Sequence, residues 1–108
     1  MEFTRLNIKG MMGVSIVSKG ANYTLQENEK AAVIALAATA SSKTFTLDLP
    51  DYTVAIVVNV GVNAFTLKNV SGDSGTSIAG GKVYLIFASR TANDSALYLL
   101  NDTAADPA

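Results

Sequence analysis

Residues 53–60 read TVAIVVNV, and their reading decides the fold. Seven of these eight positions are Val, Ile, Ala or Thr, a composition that favours an extended strand over a helix. Neither alternate set of side chains is polar. Such a strand has no wet face, so it belongs in the middle of a fold with both sides covered. Leu49-Pro50-Asp51-Tyr52 leads into it as a sharp turn, because proline fixes φ and removes a donor. Gly61-Val62-Asn63 reads as a hairpin turn on its far side.

Working outward, residues 43–49 alternate cleanly, with Phe45, Leu47 and Leu49 on one face and Thr44, Thr46 and Asp48 on the other. Residues 64–70 do the same, placing Phe65 and Leu67 inward against Thr66 and Lys68 outward. The segment 82–89, KVYLIFAS, is a second strand with two apolar faces, preceded by a tight turn at Gly80-Gly81. AAVIALAATA at 31–40 has helix-friendly alanines, but a helix there has no polar face beyond its first turn, so a strand over 32–39 is expected. Residues 14–18 are read as a strand with Val14 and Ile16 inward. Residues 21–25, 76–79 and 95–100 complete the set, and 26–30 forms a polar turn.

About eight short strands at 8 to 12 residue spacing predict an all-β, antiparallel β-sandwich or jelly-roll-like domain. The domain spans 14–100, between an extended N-terminal arm (1–13) and a polar C-terminal tail (101–108). No repeat is visible residue by residue.

The 108 residues suit one domain with one core. Hydrophobic residues make up 49% and charged residues only 16%, below the roughly 25% of an average soluble domain. No apolar run reaches the ~18 residues of a spanning helix. Burial against other copies of the chain explains the composition better than a membrane does. A net charge of −1 gives no footprint for nucleic acid. Residues 1–20 are mildly basic (Arg5, Lys9 and Lys19 against Glu2) and the remaining chain is mildly acidic. The start MEFTR carries no signal-peptide pattern, so synthesis in the cytoplasm of the producing cell is expected.

Histidine, cysteine and tryptophan are absent, which removes the usual nucleophile–base pairs and soft metal sites and argues against an enzyme. Two carboxylate pairs, Glu27 with Glu29 and Asp48 with Asp51, lack calcium-loop spacing and are expected to be solvated turns. Gly72-Asp73-Ser74-Gly75 lacks the Gly-Lys-Ser/Thr of a phosphate loop. Tyr52, Tyr84 and Tyr98 suit core or interface packing, with a sugar-stacking platform as the alternative.

From Tyr23 to Leu100 the order of these signals resembles a β-domain of bacteriophage virion proteins, found in capsid decoration proteins and tail-fibre modules. The likeness rests on Tyr23-Thr24-Leu25 before a Glu- and Ala-rich turn, the Thr-Phe-Thr-Leu strand at 44–47 ended by Pro50, and the Val-rich strand closed by Asn59-Val60-Gly61. It continues through Phe65-Thr66-Leu67-Lys68, a Gly/Ser loop and the stretch 76–82, TSIAGGK. The chain departs from the pattern at Thr53-Val54 and at Ala40-Ser41-Ser42.

The resemblance implies a trimeric, all-β virion part with no chemistry of its own. The expectation is a capsid decoration (cement) protein on the virion surface, a homotrimer that binds the major capsid protein without cofactor, metal, nucleic acid or membrane. Phe3, Arg5, Leu6, Ile8, Lys9, Met11 and Met12 are the expected shell-contacting arm. Tyr52, Val54, Ile56, Val58, Val83, Tyr84, Leu85, Ile86 and Phe87 are the expected core and subunit seam. The alternative is a receptor-binding or tail-fibre module that recognises a host glycan.

Overall fold

The computed structural model describes residues 13–101. The expected arm residues Phe3, Arg5, Leu6, Ile8, Lys9, Met11 and Met12, and the tail beyond residue 101, lie outside the described residues.

The described residues form nine strands: β1 (Val14–Lys19), β2 (Tyr23–Thr24), β3 (Val33–Ala38), β4 (Lys43–Thr46), β5 (Val54–Asn59), β6 (Phe65–Lys68), β7 (Thr76–Ile78), β8 (Val83–Phe87) and β9 (Ala96–Leu99). A single 3-10 turn, Glu27–Glu29, lies between β2 and β3. The fold is mainly β, and the ambiguous alanine-rich stretch is a strand, as its missing polar face demands.

The strands divide into a five-stranded sheet, ordered β1-β3-β5-β8-β9, and a four-stranded sheet, ordered β2-β4-β6-β7. Both sheets are mixed, which corrects the antiparallel expectation. β1, β3 and β5 run parallel in one sheet, and β2, β4 and β6 run parallel in the other. Only β5 with β8, β6 with β7, and β8 with β9 pair antiparallel. Jelly-roll connectivity, antiparallel throughout, does not describe this arrangement.

The physical reason is that from β1 to β6 the chain alternates between the sheets, laying β1, β3 and β5 on one and β2, β4 and β6 on the other. Parallel neighbours need a crossover between them, and here the crossover is a strand of the opposite sheet. The turn at Gly61-Val62-Asn63 is therefore not a hairpin turn, because β5 and β6 belong to different sheets.

The winding has a period that the sequence hides. Register advances 19 residues from Val14 to Val33 and 23 from there to Ile56, while in the small sheet Tyr23 pairs with Phe45 and Lys43 with Phe65, 22 residues on in each case. Three turns of chain stack in this way before β7, β8 and β9 close the two sheets with antiparallel strands.

The inward faces of both sheets share one core. Ile34, Leu36, Val57 and Ile86 of the large sheet pack with Phe45, Leu47, Phe65, Leu67 and Ile78 of the small sheet and its continuations, all at 0–2% exposure. Phe45 and Phe65 meet edge to face, with centroids 4.8 Å apart, a geometry worth about 1 kcal/mol beyond burial.

Two asparagines with no exposed surface close the ends of this core. At the end of β5, Asn59 donates through Nδ2 to the carbonyls of Asn63 and Ile78, and its Oδ1 accepts from the Gly61 amide. Beyond the end of β6, Asn69 donates to the carbonyls of Leu49 and Ser89 and accepts from the Leu49 amide at 2.7 Å. Each side chain ties together segments from different sheets. Gly80 permits the first closure, since a Cβ there would lie 2.7 Å from the Gly61 carbonyl oxygen.

Replacing Asn69 by alanine leaves the buried Leu49 amide without its partner, while the Leu49 and Ser89 carbonyls keep contacts from Arg90 Nη1 and Ser95 Oγ, at a cost of about 2 kcal/mol. Calorimetry is expected to show the unfolding midpoint lowered by roughly 10 °C or more.

Candidate interaction face

The outer faces of the two sheets are chemically opposite. On the small sheet, cross-strand rows read Thr24–Thr46–Lys68 and Thr44–Thr66–Ser77, all hydroxyl or charged groups suited to water. On the large sheet the outward rows are apolar. One crosses all five strands as Val14–Val33–Ile56–Leu85–Tyr98. A second reads Ile16–Ala35–Val58–Val83, and a third Val54–Phe87–Ala96.

No charged residue stands on these three rows. Ile16 is 77% exposed, Tyr98 55%, Val54 50% and Phe87 44%. Phe87 and Tyr98 form an edge-to-face pair at 5.7 Å on this surface.

The two doubly apolar strands, β5 and β8, lie side by side and antiparallel near the middle of the large sheet. Val54, Ile56 and Val58 pair with Phe87, Leu85 and Val83 on the outward side, so these six of the expected seam residues share one surface. Ile86 points the other way and is fully buried, and Tyr84 packs against the core. That separates Tyr84 from Tyr98, which stands on the opposite side of the sheet, so the three-tyrosine platform does not form.

Val14 and Ile16 were expected inward. They face outward instead, and Val17 enters the core. Strand β1 alternates small and β-branched residues on both sides, so its sequence left the face undecided, and pairing with β3 settles it. The contribution of Val33, Ala35 and Ala37 to the face was also missed, because it shows only once the parallel register is known.

The carboxylates are occupied by structure. Asp48 accepts from the Arg90 guanidinium at 2.7 Å, with Lys30 at 3.7 Å, and Asp51 accepts from the Arg90 amide at 2.6 Å. Buried Asp73 accepts from the amides of Asn69, Val70 and Asn93, tying the loop after β6 to the turn before β9. No group of three possible metal-ligating side chains occurs among the described residues. No helix is long and apolar enough to cross a membrane among the described residues. Open grooves on the surface are lined by strand and loop residues and converge on no reactive pair among the described residues.

One polar contact is tuned. Glu29 accepts from the Gln26 amide and from the Tyr23 hydroxyl, both at 2.7 Å. The Gln26 amide first, then the Tyr23 hydroxyl and the Lys19 charge, hold its carboxyl below the ordinary 4.5 against a smaller opposing effect of burial. The same hydrogen bond is the main cause that raises the Tyr23 phenol above its ordinary 10.0.

Comparison with protein families, with curated proteins and with solved structures finds no match to this chain.

Glu29 has a lower pKa folded than unfolded, so its contribution is present above the unfolded value and is lost as pH falls through the folded one. Glu29→Gln is therefore expected to lower the thermal midpoint at about pH 6 by a small amount that shrinks toward about pH 3, read from paired melts of parent and variant.

Proposed function

We propose that the chain is a structural protein of a phage virion. In this reading a sandwich-like protomer assembles into a homotrimer and decorates the capsid shell by binding the major capsid protein. The observation that carries the assembly half is the uncharged outer face of the large sheet. Five strands about 4.8 Å apart and five residues of about 3.3 Å each give a projected area of roughly 400 Å². That lies within the roughly 300–600 Å² of the largest apolar patch on a typical monomer, a size that is often functional. A stable interface buries about 800 Å² per partner, so the proposed contact extends past these rows onto the flanking loops.

A second copy fits this face better than a charged partner does, because nothing on it offers a counter-charge. Packing between copies buries what a sandwich interior buries, with side chains interdigitating across about 10 Å. Binding to the shell then gains from multivalency, since three linked arms act at high effective concentration. The virion half of the proposal is supported by the sequence resemblance alone.

A glycan-binding tail-fibre module is the second reading, favoured by the exposure of Tyr52, Phe87 and Tyr98 near one end of the face. It predicts a saccharide-dependent change in tyrosine fluorescence, which a decoration protein lacks.

Light scattering on the purified chain is expected to give a mass three times 11.2 kDa. Ile56→Lys, in the middle of the longest apolar row, is expected to leave the β-type circular dichroism in place and to reduce the mass to a monomer. A parent chain that stays monomeric at high concentration sinks the assembly proposal. For the shell contact, removal of residues 1–12 is expected to give a folded trimer that no longer co-sediments with undecorated capsids. Parental occupancy by the truncated chain rules out the arm's role.

A further inference from the structure

Tyr52 combines two properties that seldom occur together. Its backbone is left-handed, at φ 68, a region that a bulky side chain occupies only under strain. Its side chain is 94% exposed, so packing within the protomer does not reward that strain. The loop itself is held without the ring. The Tyr52 amide donates to the Ala88 carbonyl at 2.9 Å, the Thr53 amide to Pro50, and the Arg90 amide to the Asp51 carboxylate. The hydroxyl makes no hydrogen bond among the described residues. Glycine would meet every one of these backbone demands without strain. A tyrosine here is costly to the protomer alone, and its gain must come from outside it.

Next to the start of β5 lies an open groove of about 450 Å³ that Tyr52 does not line and whose lining includes Ala31, Ala32, Pro50 and Val54. Lys30 and Glu27, paired at 3.2 Å, form its polar rim. An apolar floor with a charged rim matches a phenol, which presents an apolar ring and a hydroxyl that accepts from an ammonium or donates to a carboxylate. Tyr52 does not occupy the groove of its own protomer, as its exposure shows. Ring and groove sit at the same end of the large sheet, both next to the start of β5 and continuous with the apolar rows through Val54.

We infer that Tyr52 anchors one copy of the chain to the next, seating its ring in the neighbour's groove at Ala31, Ala32, Pro50 and Val54. The inference rests on the proposed self-association and names the contact that drives it. Made in one direction only, ring into groove, this is a heterologous contact, which closes into a ring of copies when the rotation permits. Rigid aromatic side chains in desolvated pockets carry a large share of interface energy.

The test uses the full chain and its variants Tyr52→Gly, Tyr52→Phe and Ala32→Arg in sedimentation equilibrium. Parent and Tyr52→Phe are expected to associate alike, and Tyr52→Gly and Ala32→Arg at least about thirty-fold more weakly. At dilutions where all are monomeric, Tyr52→Gly is expected to melt no lower than the parent. Mixing Tyr52→Gly, which keeps the groove, with Ala32→Arg, which keeps the ring, is expected to restore one contact and give a mixed dimer that neither forms alone. A mixture without that dimer overturns the groove. If the parent associates and Tyr52→Gly does so equally, the anchor falls while self-association stands; a monomeric parent removes both.

Discussion

Every parallel pairing among the described strands depends on the chain crossing from one sheet to the other, and the crossings after β4 and β5 leave backbone groups at the ends of the core that need a buried partner. Asn59 and Asn69 answer that constraint. A buried amide offers two donors and an acceptor in one plane, enough to join a turn, the end of one sheet and the opposing loop at once. No apolar residue can close those ends, because backbone carbonyls and amides buried without partners are more expensive than the side chain that pairs them. In the sequence Asn59 looks like an interruption of an apolar run. In the fold it is what allows the run to be buried.

Much of the local structure was legible in the residues. The alternation at 43–49, the two doubly apolar strands and the polar 3-10 turn all follow from period and composition, because each is decided within a few residues. Pairing was not legible. Strands that follow one another in sequence are ordinarily neighbours, and that prior gave an antiparallel sandwich. The stacked turns carry no repeated residues, only a repeated geometry, so Val14 and Val33 or Phe45 and Leu67 become neighbours without any shared signature. The apolar face was half legible for the same reason. Its β5 and β8 part stands in two obvious strands, whereas its β1 and β3 part exists only in the register.

The two outer faces give the molecule a direction. Threonine, serine and lysine on the small sheet keep their hydration, and aliphatic and aromatic side chains on the large sheet gain by leaving water. Charge plays little part in the contrast: the ion pairs of Lys30, Asp48 and Arg90 sit in loops and are partly exposed, where such pairs contribute modestly. In the proposed assembly, orientation follows from this hydrophobic asymmetry.

The stacked winding also governs how such a chain tolerates change in length. Adding or removing one complete turn of chain between β3 and β5 returns every strand to the same side of the same sheet, so the molecule grows or shrinks by one layer and keeps both its core and its outer rows. A single residue inserted inside β3 or β5 exchanges inward and outward side chains from that point to the end of the strand, setting Val58 inward and Asn59 outward or the reverse at the neighbour. Descent with whole-layer duplication is open to this architecture, and drift by single insertions is confined to its loops.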